Sequence, residues 1–216
     1  MESNLDFIAI EGVIGAGKTS LAKLLTQRRD ARLVLEQFED NPFLPKFYED
    51  RQRYAFPTQM AFLASRFKQQ QQMLSKDLFQ QLTISDYIFE KDRIFARLNL
   101  EDDELALYDS IFEIMTSISA QPDLVIYLQS SVDRLMQNIR QRDRDYERQI
   151  SRTYLQDLSD SYNHFFYHYN KSPLMIINTS EIDFVSNEKH LDYIEEQIFN
   201  QPVRGNTHIQ IIPDQL

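Results

Sequence analysis

The run Gly12-Val13-Ile14-Gly15-Ala16-Gly17-Lys18-Thr19-Ser20 has the residue types and spacing needed to grip a polyphosphate. It fits the pattern G-x-x-x-x-G-K-[ST], in which glycines let the backbone curl and point successive N–H groups at anionic oxygens. A helix beginning there adds the positive end of its dipole. In such a loop Lys18 meets the β- and γ-phosphates and the Thr19 hydroxyl takes a place on Mg²⁺. A glycine-bearing turn with a lysine nearby would look similar in isolation, but three of the chain's 4 glycines are concentrated here. The flanks also fit, with Phe7 to Ile10 reading as a buried strand and Ser20 to Leu25 as an amphipathic helix. Gly12, Gly15, Ala16, Gly17, Lys18, Thr19 and Ser20 are therefore expected to hold a nucleoside triphosphate.

Two acids stand where such a loop would use them. Glu36 closes the strand-like Arg32-Leu33-Val34-Leu35-Glu36, where a carboxylate can accept a proton from a hydroxyl or orient it for in-line attack. Asp86 closes Leu82-Thr83-Ile84-Ser85-Asp86 and is expected to complete a Mg²⁺ shell with Thr19. Each could instead be an idle acid at a strand end. The stretch Arg140 to Arg148 alternates Arg with Asp; alone it reads as a self-neutralising solvated helix end. Beside a phosphate loop it reads better as a lid, over about residues 140–152, whose guanidinium groups stabilise a moving phosphoryl group and exclude water. His164 and His168 are four apart on a helix, but no third ligand of matching type is near, so they are expected to pack rather than bind metal.

The elements that must position these groups alternate. Apolar strand runs at 7–10, 32–36, 82–86, 122–128 and 174–177 are separated by helices. That gives an α/β fold with a five-stranded parallel sheet and helices on both faces. A long helix is expected from about Pro57, with Met60, Leu63, Ala64 and Phe67 on its buried stripe, and Gln69 to Gln72 as a solvated face. Glu101 to Ile118 is expected to be helical, with Leu105, Tyr108, Ile111, Phe112 and Met115 on one side. Ser130 to Asp133 has capping-box spacing, Tyr154 to Tyr169 reads as a helix, and Asn187 is placed to cap the last one. Ligands of such sheets bind at the carboxyl ends of the strands, where the loop, Glu36 and Asp86 all fall.

Composition bounds the rest. At 216 residues, with 42% hydrophobic and 12% aromatic content, the chain is expected to fold as one domain over residues 1–216. A net charge of −10 argues against nucleic acid or an anionic membrane as partner. The absence of cysteine removes disulfides and thiolate metal sites. No leader and no transmembrane run is visible, so the expected compartment is the cytoplasm. The strand-like His208 to Ile212 in the tail has no assigned role.

Taken together, these blocks resemble the deoxynucleoside kinases, and most of all the bacterial deoxyadenosine/deoxyguanosine kinase branch. The resemblance runs from Ile10-Glu11-Gly12 to about Leu158 and rests on the phosphate loop, Leu35-Glu36 with Asn41-Pro42-Phe43, Phe47-Tyr48-Glu49 with Gln59 and Arg66, and the lid. It implies a P-loop kinase fold, ATP as donor, Mg²⁺, a small deoxynucleoside substrate and a homodimer, with the Glu101–Ile118 helix a candidate face. It makes Glu36 the base for the sugar 5′-hydroxyl. Tyr48 and Glu147 would hold the 3′-hydroxyl, and Gln59 would pair with the base edge. Arg142 and Arg144 would clamp donor phosphates, with Arg140 also on the donor. Arg66 and Asp92 match a pair that goes with purine nucleosides or deoxycytidine, which favours deoxyadenosine.

The chain departs from the family at one place: Asp86 is followed by Tyr87-Ile88, where an arginine is expected. Arg66, Arg93 or a lid arginine would have to substitute, or rate and donor preference would change. A nucleoside monophosphate kinase such as thymidylate kinase would share the fold, but Glu36 would repel its acceptor phosphate. No Asn-Lys-x-Asp motif supports a GTPase. A nucleotide sensor would bind ATP without producing ADP.

Overall fold

The computed structural model describes residues 5–73, 82–117, 119–200 and 205–210. Among them, six parallel strands form one sheet in the order β2-β3-β1-β4-β5-β6. The strands are β1 (Phe7–Gly12), β2 (Arg32–Val34), β3 (Thr83–Ser85), β4 (Leu124–Gln129), β5 (Leu174–Asn178) and β6 (Asn206–Gln210). The sixth corrects the expectation of five. Without it β5 would present an open edge, and β6 pairs along it from Leu174↔Asn206 to Asn178↔Gln210. Ile211 and Ile212 lie outside the described residues, as does Ile118.

A parallel sheet covered on both faces needs apolar side chains throughout, which explains why Ile8, Ala9, Ile10 and Leu124 to Leu128 are all buried. Glu11 breaks that rule in the central strand and is itself fully buried. From β1 the chain turns through α1 (Lys18–Arg29) toward β2, whereas from β4 it turns through α6 (Val132–Arg142) toward β5. The crevice between these diverging connections is where the fold accepts ligands.

The remaining helices are α2 (Leu44–Glu49), α3 (Arg51–Met73), α4 (Asp92–Asn99), α5 (Asp102–Thr116), α7 (Arg152–Tyr167) and α8 (Glu188–Asn200). Helix α3 starts ahead of Pro57 because the Asp50 carboxylate accepts from Arg53 N at 3.2 Å, capping an earlier turn. Ser131 and Ser151 cap α6 and α7 through Arg134 N and Tyr154 N, and Asn187 caps α8 through Lys189 N. Glu101 and Glu104 form a capping box on α5.

A second apolar cluster lies between α3, α4 and α5. Leu63, Phe89, Ala96, Tyr108 and Phe112 form its centre, with Met60, Phe67, Leu105, Ile111 and Met115 packed around it. Ala64, expected in that stripe, is exposed. The glutamine run also differs from expectation. Gln71 and Gln72 face solvent, but Gln69 and Gln70 are buried. Gln69 Nε2 donates to Leu35 O at 2.9 Å, and Gln70 Oε1 accepts from Ala120 N at 3.0 Å. Their amides satisfy loop backbone that the sheet leaves unpaired. His164 and His168 are both exposed, with ring centroids 4.5 Å apart, rather than packed into the interior.

Gln70→Ala is therefore expected to lower unfolding stability by about 1–3 kcal/mol, the cost of stranding a buried N–H. Gln71→Ala should stay within about 0.5 kcal/mol of the parent. Urea unfolding of both variants checks this; equal effects would place both side chains in solvent.

Candidate active site

The loop after β1 needs its glycines for steric reasons. Gly15 and Gly17 have φ of 87° and 92°, in the left-handed region, where a side chain is strained. A Cβ on Gly15 would sit 2.8 Å from Leu135 O, and one on Gly17 2.8 Å from the Phe184 ring. Asn138 of α6 donates to Gly15 O at 2.8 Å and ties the loop to the helix across the crevice. Lys18 folds back so that its Nζ donates to Gly12 O at 2.7 Å and Val13 O at 3.2 Å. Its pKa is pushed down from 10.5 to about 8 by burial and then by the charge of Lys91, against the pull of Glu11, Glu36 and Asp86.

Asp86 links three elements. Its Oδ2 accepts from the Thr19 hydroxyl at 2.5 Å, and its Oδ1 accepts from Glu36 N at 2.7 Å. Two hard oxygen donors thus stand side by side at the end of the loop. They fit a magnesium ion, which binds one or two protein oxygens and keeps waters and phosphate oxygens for the rest. No denser group of His, Cys, Asp or Glu suited to a metal occurs among the described residues.

Glu36 lies just beyond β2, with its two carboxylate oxygens on different cations. Oε1 takes the Arg66 guanidinium, with Nε at 2.9 Å, and Oε2 takes Lys91 Nζ at 2.6 Å. Burial alone would push its carboxyl up; Lys91 and then Arg66 outweigh that and hold it at about 2, against an ordinary 4.5. Arg66 reaches on to Asp92, whose other oxygen accepts from Tyr108 OH at 2.7 Å. Gln59 Nε2 donates to Asp92 O at 2.9 Å. The buried Glu11 accepts from Gly12 N, Ile88 N and the Tyr162 hydroxyl and lies 3.7 Å from Lys91 Nζ.

Residues Arg142, Arg144, Tyr146 and Glu147 of the arginine-rich segment line the same cavity as Glu36. Asp143 ends α6 in the left-handed region, and a short 3₁₀ turn over Asp145–Gln149 carries Glu147 inward, where it is buried. Arg142 grips Glu147 through Nε at 3.0 Å and Nη2 at 2.6 Å, and Arg144 approaches it at 3.4 Å. Arg144 also lies 4.3 Å over the Phe38 ring. Tyr146 stacks on Tyr48 at 6.1 Å. The Tyr48 hydroxyl is pushed well above its ordinary pKa of 10.0, mainly by burial, so it remains a donor.

One cavity is lined by Gly15, Lys18, Thr19, Glu36, Tyr48, Gln59, Arg66, Asp86, Arg142, Arg144 and Glu147. Asp92 stands fully buried behind Arg66. Ala16, Gly17 and Ser20 face an adjoining groove with Asn138, Thr179, Phe184 and Ser186. Arg140 is not brought to either; it is exposed on the far side of α6 beside Asp133 and Arg152, because the helix turns it away from the loop. Arg93 turns to Asp109 of α5, at 2.9 Å. Lys91 and Asn138 are among the residues at the site that sequence reasoning missed. The trace of Lys91 was Glu11: an acid inside an apolar central strand requires a buried cation somewhere.

A model of the deoxynucleoside kinase family matches residues 8–204. The chain belongs to the deoxynucleoside kinase family. It is 31% identical over 201 residues to the deoxyadenosine/deoxycytidine kinase of Bacillus subtilis, covering 88% of this chain and 90% of the relative. It is 34% identical over 213 residues to a deoxyadenosine kinase of Dictyostelium discoideum, covering 92% of this chain and 85% of the relative. Over 157 residues it is 38% identical to the deoxyguanosine kinase of Bacillus subtilis, covering 72% of this chain and 76% of the relative. The structure of deoxyadenosine kinase from M. mycoides with bound dATP superposes with a TM-score of 0.78 at 24% identity, covering 90% of this chain and 99% of that one, a likeness of fold. The activity that goes with the family is ATP-dependent phosphoryl transfer to a deoxynucleoside. No described helix is long and apolar enough to cross a membrane.

The depressed Lys18 gives this kinase a measurable signature. Without ligand Lys18 loses its proton as pH rises through about 8, and a polyphosphate favours the charged form. ATP binding at about pH 8.5 is therefore expected to draw a proton onto the protein, with little uptake near pH 6.5. Calorimetry in EPPS and in Tris, buffers of different ionisation enthalpy that carry no phosphate, reads this directly. Identical apparent enthalpies at the higher pH would remove Lys18 from the phosphate contact.

Proposed function

We propose that this kinase moves the γ-phosphoryl of ATP·Mg²⁺ to the 5′-hydroxyl of a purine deoxynucleoside, deoxyadenosine before deoxyguanosine and deoxycytidine. The observation that carries the reading is that Glu36 and Lys18 line one cavity, a carboxylate that would take a hydroxyl proton beside an ammonium that would meet phosphate. Thr19 and Asp86 would hold the magnesium ion, which supplies neutralising charge on the phosphates when bound. The loop N–H groups and Lys18 would seat the donor phosphates, and Arg142 and Arg144 would close over them.

In the transfer, Glu36 accepts the proton of the 5′-hydroxyl, whose oxygen bonds to the γ-phosphorus. The bond from that phosphorus to the β–γ bridging oxygen breaks, and its electron pair stays on ADP. Tyr48, as donor, and Glu147, as acceptor, would hold the 3′-hydroxyl. The Gln59 amide offers a donor and an acceptor side by side, matching an adenine edge, with Arg66 and Asp92 behind it. The named relatives, which are deoxyadenosine, deoxycytidine and deoxyguanosine kinases, support this substrate class. A homodimer through α5 belongs to the same reading, supported by the exposed Leu107 and Ile114 on that helix.

Three measurements test the proposal. ADP release with Mg·ATP should be fastest with deoxyadenosine and slowest with thymidine and thymidine monophosphate; turnover with the monophosphate alone would reverse the acceptor assignment. Glu36→Gln should retain nucleoside binding and lose roughly two orders of magnitude or more in kcat. Arg66 also holds Glu36, so its truncation would slow every substrate, and base recognition is better read at Gln59. Gln59→Leu is expected to raise the KM for deoxyadenosine about tenfold or more with a smaller change in kcat. An unchanged KM would place the base elsewhere.

A further inference from the structure

The position after Asp86 holds Tyr87, which is fully buried and brings no charge to the site. The charge arrives from the next turn of chain. Lys91 ends the 3₁₀ turn Phe89–Lys91, and its Nζ passes 5.9 Å from the Tyr87 ring centroid to reach Glu36 Oε2 at 2.6 Å. The side chain is 4% exposed, on the wall of the same cavity as Lys18. An ammonium is not buried at such a site without partners, and its cost is offset here by Glu36 and Glu11 together.

The two cations on Glu36 are not equivalent. Arg66 divides its planar fork between Glu36 and Asp92, so its charge stays balanced whatever Glu36 does. Lys91 is a compact charge with three donors, and among the described residues Glu36 is the one group within hydrogen-bond distance of its Nζ. Around it stand Glu11 from β1, Lys18 from α1, Arg66 from α3, Asp86 after β3 and Tyr162 from α7.

Resting on the reading of Glu36 as the proton acceptor, we propose that Lys91 is the positioning residue of this reaction, supplying the cation that position 87 lacks. It fixes Glu36 Oε2 while Arg66 fixes Oε1, so the carboxylate is held in one orientation toward the acceptor hydroxyl. Arg93, committed to Asp109 on α5, plays no part in this.

The test compares Lys91→Met, Lys91→Arg and Lys91→Ala with Glu36→Gln in the full chain, with turnover normalised to the folded fraction from circular dichroism. Lys91→Met is expected to lower kcat about 100-fold while the nucleoside KM moves less than about threefold. Lys91→Arg, which keeps the charge and serves if the methionine variant does not fold, should recover to within about tenfold of the parent. Added ethylamine should raise kcat of Lys91→Ala several-fold or more, which a side chain needed only for packing would not allow. Lys91→Met within about threefold of the parent, beside a crippled Glu36→Gln, would overturn the Lys91 assignment alone. So would an Arg variant as slow as Met together with no ethylamine response. Full activity in Glu36→Gln would instead overturn the base assignment on which it rests.

Discussion

A carboxylate held between two buried cations is the interaction on which this site depends. Glu36 would be costly to ionise away from water, yet Lys91 and Arg66 hold its pKa at about 2. Lys91 donates its hydrogen bond to Glu36, and Arg66 shares its charge between Glu36 and Asp92. Glu11 and Asp92 then take the remaining charge of Lys91 and Arg66, and Asp86 takes the Glu36 backbone N–H. Removing any one member strands another. Such a cluster is more strongly constrained by its partners than by the surrounding packing.

That constraint explains why so much of the chain converges on one corner. The charged groups come from β1, α1, the segment after β2, α3, the strand end of β3 and the turn that follows it. A parallel sheet collects such contributions naturally, because every strand delivers its carboxyl end to the same edge. The α3–α4–α5 cluster braces the outer side: Tyr108, at its centre, also donates to Asp92. Gln69 of α3 holds Leu35 O, next to Glu36, and so braces the backbone that carries the carboxylate.

The phosphate loop, the strands and the strand-end acids were legible because their signals are local: a spacing, an apolar run, an acid at its end. Lys91 was not. Its burial depends on Glu36, a partner reached across the fold, and no local pattern marks a lysine in Phe89-Glu90-Lys91-Asp92 as buried. Arg140 was misplaced for the related reason that a run of arginines says nothing about which side of α6 each one takes. The burial of Gln69 and Gln70 was hidden because a polar side chain bonding loop backbone has the same sequence signature as one in solvent. β6 was visible as an apolar run but lacked a partner until β5 was seen to have a free edge.

The depressed pKa of Glu36 bears on how the proposed transfer would run. A carboxylate near 2 is a weak acceptor for an alcohol proton, and would be a poor choice if the hydroxyl had to ionise before attack. Phosphoryl transfer does not demand that, since its transition state is loose and bonding to the nucleophile is slight. The hydroxyl becomes acidic only as its oxygen bonds to phosphorus, and by then even a weak base suffices. Before that point a carboxylate with both oxygens pinned is useful for direction rather than basicity. The same pair of cations that weakens Glu36 as a base fixes its orientation, and orientation is what an early, loose transition state requires.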